Sequence, residues 1–219
     1  PADVQTSMRI QFRNLVERGT RWVLANRRSP IDVGTVVEEL ADDVARIKES
    51  ISELQVGRGK ERFDSMCARY TEAGVDQELA TVVATAQVTY QSLDIATNAQ
   101  RLGADVIDVA AVHFQLAEET GIDLLRAHIG ALPRTDRWET MARSAMREDL
   151  HQLQSRLTAQ AMSCGGPDAS PSERVAAWAA ELPEIAATEQ TLSEVVAAEP
   201  EIARISVGLR SLRALLDKE

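Results

Sequence analysis

Five groups of residues in this sequence are of types that chemistry uses. Glu148-x-x-His151 would place a carboxylate and an imidazole on one helix face. Di-metal helical bundles converge two such pairs with two further glutamates. No second histidine follows a glutamate at this spacing, so the pair reads as a solvated helix face. Gly57-Arg58-Gly59-Lys60 is the nearest approach to a phosphate-cradling turn. Leu54 stands where a P-loop needs glycine, Glu61 follows the lysine, and no Gly-x-Gly-x-x-Gly occurs, so a plain turn is expected. His113 lies among Val109, Phe114 and Ala117 with no identifiable acid–base partner, which predicts a core or edge histidine. His128 falls near a helix end, where a cation suits the dipole. Cys67 and Cys164 have no His or Cys at metal spacing and form no Cys-x-x-Cys pair; one core thiol and one loop thiol are expected. No serine sits in a nucleophile-elbow pattern. The residues therefore predict no catalytic, no cofactor-binding and no metal-ligating position.

The elements around these groups read as helix almost throughout. Met8, Phe12, Leu15, Val16, Trp22 and Val23 recur at steps of three and four, in a segment that Ser29-Pro30 should end. Val37, Leu40, Val44, Ile47, Ile51 and Leu54 form the most regular seam, closed by Gly57 and Gly59. A helix from about Lys60 to Glu72 should end at Gly74, and Asp76 should cap the next one, with Leu79, Val82, Val83 and Ala86 on its face. Residues 81–90 are rich in β-branched side chains, but alternation fails there and helix is retained. Leu93 to Leu102 follows, then Gly103. Asp105 should cap a helix that stops at Gly121, Ile122 to Leu132 another that ends at Pro133, and Asp136 a long one holding Trp138, Met141, Ala145, Leu150, Leu153 and Leu157. Trp138, sharing a face with Met141 and Ala145, is expected to be buried. Trp22 and Trp178 are likewise expected as core anchors, since aromatics are only 4% of the chain.

Residues 163–172, Ser-Cys-Gly-Gly-Pro-Asp-Ala-Ser-Pro-Ser, read as a flexible linker. Beyond it Ile185, Thr188, Leu192 and Val195 face Ile202, Ile205, Leu209, Leu212 and Leu216 across Pro200, as a helical hairpin. The expected organisation is an all-α, multi-helix bundle over 1–162, the linker at 163–172, and C-terminal helices at 173–219. These last would pack on the bundle or on a neighbouring subunit.

Composition excludes several classes of function. Hydrophobic residues are 44%, too many for a disordered chain, and no apolar run approaches the roughly 20 residues that span a bilayer. The net charge of −10 argues against nucleic acid as a partner. Charge is uneven: Arg9, Arg13, Arg18, Arg21, Arg27 and Arg28 against Asp3 and Glu17 give residues 1–28 a net +4, leaving −14 for the rest. Nothing at the start resembles a signal peptide, so a cytoplasmic chain without a membrane partner is expected. The chain begins at Pro1 without an initiator methionine, which points to a piece of a longer protein.

Three stretches carry a resemblance: RWVLANRRSPID (21–32), LDIATNAQRLG (93–103) and, most strongly, DVIDVAAVHFQLAEETGIDLLRAHIGALPRTDRWETMARSAMREDL (105–150). In their order and spacing they resemble the C-terminal helical region of the large bacterial NAD-specific glutamate dehydrogenases. The resemblance covers nearly the whole chain, more loosely after about residue 163. Leu125 stands where that family tends to have tryptophan, and His151 where a tyrosine is expected. The resemblance implies a parent enzyme that converts L-glutamate, NAD and water to 2-oxoglutarate, ammonia and NADH. Its glutamate and NAD sites would lie in a separate upstream catalytic region, so this segment itself would hold no cofactor. The implied partners are that catalytic region and further copies of the parent in a homo-oligomer. The implied role is bracing or assembly, with a regulatory protein-interaction module as the alternative.

Overall fold

The computed structural model describes the backbone of residues 2–26 and 33–216, which are all-α: eleven helices and no strand among the described residues. The expected turn at Ser29-Pro30 lies outside the described residues. No helix among those described is long and apolar enough to cross a membrane. The helices fall into two compact units, residues 1–111 and 112–219, and the 163–172 stretch lies inside the second.

The first unit holds α1 (Ala2–Asn26), α2 (Val33–Leu54), α3 (Gly57–Glu72), α4 (Gln77–Val88), α5 (Ser92–Leu102) and the start of α6 (Val106–Glu119). α2 lies along α5 and α3 pairs with α4. In the α2 seam Leu40, Ile47, Ile51 and Leu54 are buried and Val44 is half-buried, while the Val37 side chain lies outside the described residues. Trp22 anchors the C-terminal part of α1, its indole N–H donating to Thr97 Oγ1 at 3.1 Å. Three members of the α1 stripe, Met8, Phe12 and Val16, are exposed and Val23 is half-buried, while the Leu15 side chain lies outside the described residues. α3 starts three residues before Lys60, so that Gly57 and Gly59 open it rather than close α2. Residues 81–88 are helical, but the buried face of α4 is Ala80, Val83 and Ala84, with Leu79 and Val82 turned outward.

Helix ends follow the capping chemistry of the sequence. Asp76 Oδ1 accepts from the Leu79 amide at 2.9 Å, Asp105 Oδ1 from Ile107 at 2.8 Å and Asp136 Oδ1 from Glu139 at 2.8 Å. Gly74, in the left-handed region at φ 86°, takes the chain out of α3, and the Val75 amide reaches back to the Tyr70 carbonyl.

The second unit contains the rest of α6, α7 (Ile122–Ala131), α8 (Arg137–Met162), α9 (Pro171–Ala180), α10 (Ile185–Ala197) and α11 (Ile202–Ala214). α10 and α11 pair; α10 packs on α7, α11 on α7 and α8, and α9 on α8. The two seams meet at Leu192, Val195, Ile205, Leu209 and Leu212, while Ile202 lies exposed at the rim and Leu215 rather than Leu216 closes the far end. At Gly208 a Cβ would stand 2.8 Å from Leu192 Cδ2 and 3.2 Å from Leu125 Cδ1, so glycine lets α11 approach both helices. Residues 163–170 lie outside helix; Pro171 opens α9 behind a capping box of Ser170 and Glu173. That loop is tied down by Arg174, whose guanidinium donates to four carbonyls: Met162, Cys164, Pro167 and Ala169, at 2.8–3.1 Å.

Candidate functional site

The densest buried polar cluster joins α6, α7 and α8. Thr158 donates its hydroxyl hydrogen to the Gln154 carbonyl one turn earlier, at 2.8 Å. Its oxygen lies 3.0 Å from His113 Nδ1, so the imidazole must donate there and carries its proton on Nδ1. Gln154 donates from Nε2 to the His113 carbonyl at 3.0 Å and accepts at Oε1 from Arg126 Nη2. Arg126 also binds Asp123 at 3.3 Å, with both side chains largely buried, and reaches His151 Nδ1 at 3.5 Å.

Burial, and then the nearby Arg126 charge, hold His113 down to about 3. At neutral pH it is an uncharged ring, edge-on to Phe114 at 5.5 Å between centroids, and far too weakly basic for general-base work. The cluster fixes the register of three helices against one another. It was not legible beforehand, because Gln154 and Thr158 carry no signal until α8 is laid against α6.

The other chemically typed residues stay apart. Glu148 accepts from Gln152 at 3.2 Å, while His151 turns toward Arg126; both are half-buried, so the expected solvated face is instead a partly covered one. Lys60 pairs with Asp64 on the flank of α3 at 2.5 Å. Burial raises the Cys67 thiol pKa, and burial followed by Glu181 raises that of Cys164; neither cysteine is bonded to another. Among the described residues no group of three or more His, Cys, Asp or Glu side chains could hold a metal ion.

One corner breaks the sequence expectation. Trp138, in the first turn of α8, is 72% exposed, and Met141 is 49% exposed. The buried stripe of α8 runs through Met146, Leu150, Leu153 and Leu157. At about 100° per residue, Trp138 lies roughly 80° from Met146 and 120° from Leu150 around the axis. Trp138, Met141 and Ala145 do share a face, but it is the outer one. On the inner side Arg143 is buried with one hydrogen bond, to the Leu132 carbonyl at 3.3 Å, and its Nε has no partner among the described residues. Burial and the like charges of Arg147 and Arg134 lower its pKa to about 10.

With this all-helical architecture described, the sequence match to known families gives the class. The chain belongs to the family described as glutamate dehydrogenase, C-terminal, whose model matches residues 1–214. It is 29% identical over 217 residues to the NAD-specific glutamate dehydrogenase of Mycobacterium tuberculosis, covering 98% of this chain and 13% of that protein. Against the NAD-specific glutamate dehydrogenases of Pseudomonas aeruginosa and Halomonas elongata, identity is 28% and 26% over 178 residues, 81% of this chain and 11% of each of those proteins. The chain thus spans about an eighth of the length of these relatives.

Proposed function

We propose that this chain serves as the non-catalytic C-terminal helical segment of a large NAD-specific glutamate dehydrogenase, bracing the catalytic region or the oligomer. The parent reaction is the oxidation of L-glutamate with NAD and water to 2-oxoglutarate, ammonia and NADH, in the cytoplasm, with NAD held upstream of this segment. Its partners are then the catalytic region of the parent and the other subunits of a homo-oligomer. Two kinds of support meet here. The relatives named above are NAD-specific glutamate dehydrogenases matched over most of this chain. The single structural observation that carries the bracing role is the outer stripe of α1. Met8, Phe12 and Val16 follow one another at four-residue steps, exposed, with Phe12 70% uncovered and Arg9 and Arg13 beside them. An apolar stripe on a basic helix is a face for another protein surface.

The test is deletion of this segment from the full-length dehydrogenase, with assembly mass and the thermal stability of glutamate oxidation as readouts. Loss of assembled mass or of heat resistance is expected, with KM for glutamate and NAD unchanged in the fraction that stays active. Unaltered mass and heat resistance would overturn the bracing role. The isolated chain should neither oxidise glutamate nor bind NAD, and a saturable micromolar NAD site in calorimetry would refute the non-catalytic assignment.

A further inference from the structure

Arg143 is a charged side chain only 8% exposed, and the described residues bring no carboxylate to it. A buried guanidinium without a counter-charge is costly, because it gives up water and gains no opposite charge in return. What Arg143 has is one hydrogen bond, from Nη1 to the Leu132 carbonyl at 3.3 Å. That bond decides which side of the planar group is left over. Nε and Nη2 carry parallel N–H bonds along the edge away from Nη1, and this edge grips a carboxylate or phosphate through two oxygens at once. Nε is buried without a partner, and Nη2 makes no hydrogen bond among the described residues.

The charge around this edge is positive. Arg147 stands one turn farther along α8, and Arg134 lies two residues past Leu132. After burial, these two like charges lower the Arg143 pKa to about 10, and no carboxylate opposes them. Glu139, one turn back, has the spacing of a partner, but its Oε2 accepts from the Thr135 amide at 2.8 Å and from its hydroxyl at 2.6 Å. Asp136 caps α8. Glu148 and Asp149 lie about 140° and about 120° from Arg143 around the helix, on other faces. His128, in the last turn of α7 and one turn before Leu132, adds a second buried nitrogen without a partner at this corner, its Nε2. Each such group in a folded chain calls for a partner.

We propose that the corner between α7 and α8 is an oxyanion site, in which the free edge of Arg143 binds a phosphate or carboxylate group and Arg134 and Arg147 add their charge. Arg134 is exposed and Arg147 half-buried, so the site has a solvent side from which such a group enters. Filled, it ties the connection at Leu132 to α8 through one guanidinium and stabilises the second unit. The site stands apart from the bracing role, and either can fail without the other.

The test is thermal unfolding of the 219-residue chain in rising sodium phosphate and, separately, in rising sodium acetate, with chloride holding the ionic strength constant. Tm should rise and saturate in at least one of them, half-saturated at about 10 mM or below, and the anion that does so names the group bound. Phosphate also stabilises folded chains through exclusion from their surface, a rise that does not saturate and needs no particular arginine. Variants separate the two effects. Arg143→Met should abolish the saturable part. Arg134→Ala changes an exposed residue that the fold tolerates, and should weaken that part at least about threefold. Arg137→Ala removes the same charge from a residue that does not act on Arg143, and should leave it unchanged. The Arg134→Ala and Arg137→Ala pair keeps the proposal falsifiable even if Arg143→Met folds poorly. A saturable rise in neither anion overturns the proposal. So does a saturable rise that Arg134→Ala leaves intact, or one that Arg137→Ala weakens as much.

Discussion

Trp178→Ala gives the sharpest measure of how the second unit is held together. Trp178 is 1% exposed on α9, and its indole N–H donates to Gln160 Oε1 on α8 at 3.1 Å. Truncation removes the largest fully buried side chain and leaves a cavity, which costs about 3–5 kcal/mol for an aromatic residue. The amide of Gln160 is half-buried, so water can replace the lost donor and the hydrogen bond adds little. A central value of about 4 kcal/mol, at about 2–4 °C per kcal/mol for a chain of this size, lowers Tm by at least about 8 °C. The assay is a far-ultraviolet circular dichroism melt at low protein concentration and high salt, so that any association is removed. Trp138→Ala, run beside it, truncates a side chain 72% exposed and should stay within about 1 °C of wild type. If Trp178→Ala melts within about 2 °C of wild type, the placement of α9 on α8 is wrong; if Trp138→Ala falls as far as Trp178→Ala should, the exposure of Trp138 is wrong.

Three further outcomes follow from the same packing. Gly208→Ala should destabilise by about 1 kcal/mol or more in urea unfolding, because the clash with Leu192 and Leu125 outweighs the gain in helix propensity, and Gly208→Val should cost more; a stabilised Gly208→Ala would refute the close approach of α11. Arg174→Ala should release the four carbonyls it binds, cost about 1–3 kcal/mol and speed proteolytic cleavage within residues 163–170 about tenfold; an unchanged digestion rate would refute its role as a clasp. His113 stays neutral in the fold down to about pH 3 but takes a proton near 6.5 when unfolded, so acid favours the unfolded state. Stability should then be fullest above pH 6.5 and fall by up to about 1.4 kcal/mol per pH unit below it, a slope that His113→Gln removes. Parallel pH profiles for wild type and His113→Gln between pH 6 and 4.5 would refute the burial argument.

Much of the fold was legible because the signals are local. Asp76, Asp105 and Asp136 cap the helices they precede, and Leu40, Ile47, Ile51 and Leu54 of the α2 seam are buried where spacing placed them. Departures arise where one residue's role depends on another element. Gly57 and Gly59 read as a stop but open α3, since a glycine can serve either end of a helix and only the chain direction decides. The polar cluster was invisible for the same reason. His113 stands out in the sequence, but Thr158 and Gln154, which orient it, are ordinary residues until α8 crosses α6.

The tryptophans show what periodicity can and cannot decide. Trp22, Trp138 and Trp178 are chemically identical and rare, and each sits on a face with other apolar residues. A shared face says only that residues point the same way; burial requires that a second element stand there. For Trp178 that element is α8. For Trp138 the phase of α8 is set by Leu150, Leu153 and Leu157, several turns away, and it carries the first turn outward. The apolar pattern of Trp138, Met141 and Ala145 is therefore real, but among the described residues Trp138 stays mostly exposed and Met141 about half exposed. The same holds in the first unit for Met8, Phe12 and Val16. An isolated chain that only had to fold would gain nothing by keeping such faces apolar, since exposed patches promote association. A segment that holds other protein surfaces, as proposed above, would use such faces.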